Sequence, residues 1–195
     1  HVYTSRTGVA VQINAFNFPV WGMLEKLAPA FLAGLPSIVK PTTQTAYLTA
    51  AVVRRIVESG ILPEGSLQFI AGSTGALFDQ LGEQDSVAFT GSAQTAEILR
   101  RDPAVQERGL RLGIEADSLN ASILGTDVTE DDPALDLFVK SVVTEMTYKA
   151  GQKCTAIRRS LGPAGMVGTA IEAVAARLAR TPVGHPAVAC GGSAG

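Results

Sequence analysis

The feature that most constrains the fold is a regular alternation of short β-branched runs with longer segments of helical periodicity. GVAVQIN (8–14) predicts a strand, and VWGMLEKLAPAFLAG (20–34) predicts a helix that ends at Gly34. The alternation continues along the chain. Further strands are predicted at 37–41, 66–72, 86–91, 109–116, 118–125 and near 157–162, and further helices at 45–60, 74–82, 92–101, about 132–150 and near 165–180.

This pattern predicts an α/β fold, a Rossmann-like parallel sheet with helices on both faces. In such sheets a ligand binds beyond the carboxyl ends of the strands. Polar residues that follow the predicted strands are therefore the first candidates for function. They are Asn17, Lys40, Thr43, Thr90, Ser92 and Glu115.

Composition excludes several classes of protein. With 195 residues, 46% of them apolar and 17% charged, the chain is globular rather than disordered. A net charge of −2 gives no sign of a nucleic-acid partner, and no apolar run is long enough for a membrane span. The two cysteines, Cys154 and Cys190, fit a reducing compartment. We expect a cytoplasmic protein with neither a nucleic-acid nor a membrane partner.

The ends of the sequence predict a piece of a longer chain. It begins at His1 without methionine, and it ends in AVACGGSAG, which is typical of neither a helix cap nor a finished element. The tail from about Gly184 is rich in glycine and alanine, and we expect it to be flexible. Neither common phosphate-binding motif is present: GSTGAL (72–77) is the nearest to GxGxxG, but its spacing is wrong.

The segment KAGQKCTAIRR (149–159) places Cys154 among basic and small residues. A structural cysteine usually lies among aliphatic neighbours. Here Lys153 precedes it and Arg158 and Arg159 follow, and nearby positive charge favours the thiolate, which is the nucleophilic form. The residues alone leave a structural and a reactive cysteine both open.

The strand-end candidates also have two readings each. Glu115 is either a solvated turn residue or, where partly buried, a general base. Asn17 either caps the next helix or donates to an oxyanion. Lys40 is either a solvated lysine or a ligand of a ribose or phosphate. Ser92 in FTGS is a helix N-cap, and the free N–H groups beside it equally suit a pyrophosphate.

Five segments occur in order along the chain: INAFNFP, VKPTTQT, VAFTGS, IEADSLN and GQKCTAIRR. Together they resemble the aldehyde dehydrogenase superfamily, from about Thr7 to Val183. The forms INAFNFP, EADSLN and KAGQKCTAIRR are most similar to the branch that oxidises CoA-thioester semialdehydes in the degradation of phenylacetate and benzoyl-CoA. The resemblance implies an incomplete aldehyde dehydrogenase fold and NAD(P)-dependent oxidation of an aldehyde to a carboxylic acid.

The resemblance also implies a role for each catalytic candidate. Cys154 is the nucleophile, which forms a thiohemiacetal and then a thioester. Asn17 stabilises the oxyanion together with the backbone N–H of Cys154. Glu115 is the base that activates water for hydrolysis of the thioester. Lys26 matches a helix lysine with a supporting role.

For the cofactor, the resemblance implies that Lys40 contacts the adenosine ribose. Many NAD-preferring relatives have glutamate at the position of Thr43, and a neutral threonine removes its repulsion of a 2′-phosphate. We therefore expect NADP to be preferred, with NAD possible. The resemblance places four further residues along the cofactor channel: Phe16, Thr90, Gly91 and Ser92.

The resemblance places a nucleotide-binding domain, without its N-terminal part, at 1–118, and the start of a catalytic domain at 119–195. It implies a homo-oligomeric parent protein, and this piece alone is expected to be inactive. Three departures from the family pattern stand out: EADS where ELGG is commoner, Ala96 in place of glycine, and His185 in place of aspartate.

Other functions remain open at this point. A CoA-acylating aldehyde dehydrogenase generally lacks the glutamate, so Glu115 argues against it. A non-catalytic dinucleotide-binding module needs none of Asn17, Glu115 and Cys154. A cysteine hydrolase lacks a convincing histidine base. No metal is expected, because His185 and Cys190 have no third ligand.

Overall fold

The predicted alternation is present in the computed structural model, which describes residues 1–184. The chain divides into two compact units, His1–Asp117 and a second that begins at Ser118. The strands are β1 Ala10–Asn14, β2 Ser37–Pro41, β3 Leu67–Phe69, β4 Ser86–Gly91, β5 Arg111–Ala116, β6 Asn120–Ile123 and β7 Ile157–Leu161. The α-helices are α1 Trp21–Leu32, α2 Ala46–Glu58, α3 Ala93–Arg100, α4 Pro103–Gln106, α5 Pro133–Thr147 and α6 Val167–Leu178.

The first unit contains a five-stranded sheet in the order β3-β2-β1-β4-β5, with every neighbouring pair parallel. From β1 the chain winds outward to β2 and β3, and it then crosses back to β4 on the other side. Strand order therefore reverses between β1 and β4. In open parallel sheets this switch point is where the crevice for a ligand opens.

Helices cover both faces of this sheet, as predicted. On one face Met23 and Leu27 of α1 pack with Val39 of β2 and Val53 of α2. The cluster on the other face comprises Val11, Ile13, Phe78, Leu81, Val87, Phe89, Ala96, Ala104 and Leu110. Because β1 is central, all five of its residues are buried, including the polar Gln12 and Asn14.

The second unit pairs β6 with β7 in parallel and packs α5 against α6. Its core consists of Leu124, Leu135, Val139 and Val143. The pairing is irregular between Asn120 and Ala121, where the register shifts. Within residues 1–184, none of the helices combines the length and apolar character that a membrane crossing requires.

Some local predictions were wrong. The helix predicted over about 132–150 ends at Thr147, because Tyr148 has an extended ψ of 123°, and Lys149 and Ala150 after it take left-handed φ angles of 53° and 55°. TGALFDQLG forms only a 3-10 turn at Leu77–Gln80, and α4 was missed. The tail, with His185 and Cys190, lies outside the described residues.

Residues Lys149–Gly151 all take left-handed φ angles, so a substitution by glycine in this segment is expected to stabilise the protein rather than destabilise it. A left-handed φ costs a residue with a Cβ atom about 1–2 kcal/mol, and glycine avoids this cost. We expect Ala150→Gly to raise the free energy of unfolding by about 1 kcal/mol. Ala175→Gly, in the exposed middle of α6, should lower it by a similar amount. Denaturant unfolding of both variants checks the pair, and a destabilised Ala150→Gly contradicts the prediction.

Candidate active site

Most of the candidate residues flank the switch point at the carboxyl edge of the first unit's sheet. Phe16 and Asn17 follow β1, while Thr90 and Gly91 end β4. Lys40 lies on β2 opposite Ile13 of β1, and Thr43 begins the 3-10 turn after β2. The parallel sheet thus brings together residues that are far apart in sequence, as the strand-end prediction required.

The beginning of α3 presents unpaired donors at this edge. Ser92 is the N-cap, and its Oγ accepts a hydrogen bond from the Thr95 N–H at 3.2 Å. The N–H groups of Ala93 and Gln94 have no acceptor among residues 1–184. Such a helix start attracts a phosphate through its free N–H groups and its dipole. Ser92 can therefore cap α3 while the N–H groups beside it bind an anion, so the two interpretations of FTGS are compatible.

Gly91 is required by the packing around it. A Cβ atom at this position would lie 2.5 Å from Cζ of Phe89, which is closer than any real contact. The Phe89 ring therefore leaves room for a bare backbone only. This brings the main chain to the surface immediately before α3, which suits the close approach of a dinucleotide.

Asn17 does not cap the following helix. The N-cap of α1 is Val20, and no side chain makes a capping hydrogen bond there. The capping interpretation of Asn17 is therefore wrong. Its amide is partly buried in the turn between β1 and α1.

The turn after β2 is anchored by Thr42 rather than by Thr43. The N–H and Oγ1 of Thr42 donate to the carbonyl of Asn14, at 3.1 and 3.0 Å. Thr43 is exposed and no acidic residue lies in its turn. In the part of the chain that the structure describes, the ammonium of Lys40 pairs with no acceptor. The end of β2 therefore presents an uncompensated positive charge beside a neutral hydroxyl.

Glu115 lies near the end of the edge strand β5, directly opposite Thr90 of β4. The Oγ1 of Thr90 is 3.4 Å from the Glu115 carboxylate, and the Glu115 side chain is exposed. Two residues later, Asp117 has a φ of 51° and donates its N–H to the Gly91 carbonyl at 3.2 Å. Aspartate tolerates this left-handed φ better than most residues, so EADS fits a position where the common family pattern ELGG has glycine.

Cys154 belongs to the second unit, in the turn that leads into β7. Its thiol is free and the residue is exposed, which agrees with a reactive rather than a core cysteine. Its carbonyl accepts hydrogen bonds from Oγ of Ser118 and Nδ2 of Asn120. Its own N–H has no acceptor among residues 1–184, so this donor is available to an oxyanion.

The basic residues around Cys154 serve the turn itself. The Lys153 ammonium pairs with Glu145 at 2.7 Å and lies 4.9 Å from the centre of the Tyr148 ring. Arg158 Nη2 donates to the Gly151 and Lys153 carbonyls at 2.9 and 3.3 Å. Arg159 donates to the Leu119 carbonyl at 3.1 Å. These contacts fix the backbone on which Cys154 is presented.

Lys26 lies on α1 and is largely buried. Its ammonium donates to the Gly22 carbonyl at 3.1 Å and to Glu25 at 2.9 Å. The other oxygen of Glu25 accepts from the indole of Trp21 at 2.9 Å. Sequence reasoning missed this cluster, although the four-residue spacing of Trp21 and Glu25 places these two side chains on one face of a helix.

Sequence reasoning also missed Ser118 and Asn120, whose contacts with Cys154 cross 36 and 34 residues of sequence. No periodicity predicts so distant a contact. The only available signal was the polar character of EADSLN itself, which replaces small residues of the common family pattern.

Comparison with known protein families decides the assignment. The profile of the aldehyde dehydrogenase family matches residues 2–192. The chain is an aldehyde dehydrogenase family member. The resemblance inferred from the five segments is therefore confirmed at the level of the family.

Among individual aldehyde dehydrogenases, the chain is 52% identical over 186 residues to the 3,4-dehydroadipyl-CoA semialdehyde dehydrogenase of Aromatoleum evansii. This match covers 95% of the chain and 36% of the relative. The chain is 32% identical over 170 residues to the alpha-ketoglutaric semialdehyde dehydrogenase of Bacillus subtilis, covering 85% of the chain and 33% of that protein. The first relative lies in the branch that the variant segments predicted.

Solved aldehyde dehydrogenase structures share the fold. Betaine aldehyde dehydrogenase from Staphylococcus aureus, in complex with NAD+, matches with a TM-score of 0.77 and 25% identity, covering 90% of this chain and 34% of that one. NADP-dependent glyceraldehyde-3-phosphate dehydrogenase from Bacillus halodurans, complexed with NADP, matches with a TM-score of 0.77 and 27% identity, covering 93% and 37%. The chain thus has an incomplete aldehyde dehydrogenase fold and spans about a third of the length of these relatives.

Proposed function

We propose that this chain is the cofactor-binding and nucleophile-bearing part of an NAD(P)-dependent aldehyde dehydrogenase that acts on a CoA-linked semialdehyde from the degradation of an aromatic compound. The product is the carboxylic acid. The observation that carries the proposal is the 52% identity to 3,4-dehydroadipyl-CoA semialdehyde dehydrogenase across 95% of the chain. Asn17, Glu115 and Cys154 stand in the matching segments.

A dinucleotide fits the carboxyl edge of the first unit. The free N–H groups of Ala93 and Gln94 would receive the pyrophosphate, with Gly91 and Ser92 beside them. Lys40 would contact the adenosine ribose. Thr90 and the half-exposed Phe16 would line the channel. The first unit then serves as the nucleotide-binding domain and the second as the start of the catalytic domain.

The chain's own residues supply the covalent steps. The thiolate of Cys154 attacks the aldehyde carbon, and its sulfur–carbon bond gives a thiohemiacetal oxyanion. The unpaired N–H of Cys154 donates to that oxyanion, and the resemblance assigns the amide of Asn17 as its second donor. The same carbon then gives up its hydride as the thioester forms on Cys154; a nicotinamide cofactor, when bound, would supply the acceptor for that hydride.

The thioester left on Cys154 is then hydrolysed. Glu115 removes a proton from water, the hydroxide adds to the thioester carbon, and the thiolate of Cys154 is released with the acid. Lys26, held by Gly22 and Glu25, supports this edge of the site. We assign the complete protein to the cytoplasm, since its two cysteines fit a reducing compartment, and to a homo-oligomer, as the resemblance implies.

The proposal is tested by rapid mixing of the full-length protein with NADP or NAD and an aldehyde, following the absorbance of the reduced cofactor. We expect a burst with NADP and a CoA-linked semialdehyde, and a slower reaction with a simple aliphatic aldehyde. If neither cofactor is reduced with any aldehyde, the dehydrogenase proposal fails. A non-catalytic dinucleotide-binding module then becomes the better explanation.

Cofactor preference depends in this proposal on Thr43. We expect Thr43→Glu to lower the kcat/KM ratio of NADP to NAD by about 100-fold, or about 3 kcal/mol, because a carboxylate repels the 2′-phosphate. The matched control is Gln44→Glu, which adds the same charge at the next exposed position and should have a much smaller effect. Equal ratios in wild type and Thr43→Glu would contradict this role for Thr43.

A further inference from the structure

Two side chains from the beginning of the second unit hold the carbonyl of Cys154. The hydroxyl of Ser118 and the amide of Asn120 both donate to this one oxygen, the latter at 2.5 Å. A carbonyl has two lone pairs, so this pair of donors satisfies it completely. The contact therefore fixes the peptide unit that follows the nucleophile.

Asn120 does more than bind a single oxygen. Its Nδ2 also donates to the carbonyl of Ala156 at 3.3 Å, so one amide spans the turn from Cys154 to Ala156. Asn120 is the first residue of β6 and lies opposite Ile157 in the sheet, which holds its backbone in place. The preceding residue, Leu119, is held through its carbonyl by Arg159. The two donors therefore extend from a segment that is itself anchored.

The peptide unit before Cys154 is held independently. The Lys153 carbonyl accepts from Arg158 Nη2 and from the Ala156 N–H, both at 3.3 Å. In a trans peptide the C=O and the next N–H point in opposite directions. Holding the Lys153 carbonyl therefore holds the direction of the Cys154 N–H. Both peptide planes that flank Cys154 are thus restrained, by different side chains.

We infer that Ser118 and Asn120 are positioning residues for the reaction at Cys154. By fixing the Cys154 carbonyl they fix the backbone torsion from which its Cβ and Sγ project, and so the line of attack on the aldehyde. This inference rests on the proposed function, in which Cys154 is the nucleophile. It assigns a role to the polar segment EADSLN that is distinct from contact with the substrate.

The two donors should behave as a coupled pair. Ser118→Ala leaves Asn120 on the carbonyl and should slow the burst by about threefold, whereas Asn120→Ala also frees the Ala156 carbonyl and should slow it by about tenfold. Without either donor the torsion is free, so the double variant should be about 100-fold slower, more than the product of the single effects. Burst amplitude and the Kd for NADP should not change, because Cys154 and the first unit remain intact.

The experiment uses the full-length protein with NADP and a CoA-linked semialdehyde, and it measures burst rate, burst amplitude, NADP affinity and thermal unfolding. Ser118→Thr keeps the hydroxyl and should restore nearly the wild-type rate. Ser160→Ala removes a hydroxyl from the exposed part of β7, where it has no contact with Cys154, and should leave the rate unchanged.

The outcomes separate the two proposals. If wild type gives no burst, the proposed function fails and the positioning role fails with it. If wild type gives a burst and the double variant keeps its rate, only the positioning role is overturned. The positioning role is also overturned if the variants have a lower unfolding temperature and a proportionally lower burst amplitude but an unchanged burst rate per active site. The hydrogen bonds then only stabilise the turn.

Discussion

Replacement of Cys154 by alanine in the full-length protein is expected to abolish aldehyde oxidation, with a fall in kcat of at least about 10⁴-fold. Alanine cannot form the sulfur–carbon bond, and loss of the nucleophile typically removes almost all covalent catalysis. The side chain is exposed and its thiol makes no disulfide, so its removal should cost the fold little. The burst of reduced cofactor should disappear while the Kd for NADP stays within about twofold.

Cys190→Ala is the matched control, because it removes the other cysteine of the chain. This variant should keep its burst in full. Labelling with iodoacetamide before the assay should inactivate wild type and Cys190→Ala alike. A Cys154→Ala protein that still reduces NADP with an aldehyde would remove Cys154 from the mechanism.

The second large effect is expected at Glu115. Glu115→Gln should keep the burst but lower steady-state turnover by about 10³-fold, because hydride transfer needs no base whereas hydrolysis of the thioester does. Asp117→Asn, two residues away and also exposed, is the control and should turn over normally. Mass spectrometry of the stopped reaction should show the acyl group on Cys154 in Glu115→Gln.

This experiment also separates hydrolysis from transfer to CoA. In the proposed enzyme, free CoA does not raise the turnover of wild type. If wild type turns over only when CoA is added and Glu115→Gln behaves identically, the enzyme is of the CoA-acylating kind and Glu115 has no catalytic role.

Much of the fold could be predicted because its strands are buried and its helices are amphipathic. SVAFTG matches β4 from its first residue to its last, and Ser92 caps α3 as expected. The candidate residues were predicted to lie together at one edge of the sheet, and they do, because parallel strands present their carboxyl ends at the same edge. Lys40, Thr90 and Glu115 are found there from sequence alone.

Other features depend on contacts that a linear pattern does not contain. Lys and Ala favour helix, so the letters KAG do not predict the left-handed turn that follows the end of α5 at Thr147. The Asn17 cap failed because the chain makes another turn before α1 begins at Trp21. The hydrogen bonds from Ser118 and Asn120 to the Cys154 carbonyl join residues more than 30 positions apart, and only folding brings them within hydrogen-bond distance.

The turn after β2 divides two tasks between adjacent threonines. Thr42 fastens the turn to β1 through two hydrogen bonds, while Thr43 is exposed and contributes only its carbonyl, which accepts from the Ala46 N–H. If Thr43 lies at the ribose end of the crevice, as proposed above, a substitution there changes that end and keeps the hydrogen bonds of Thr42 to β1. On that proposal, a single exposed position is enough for a lineage to exchange one dinucleotide for the other without rebuilding the domain.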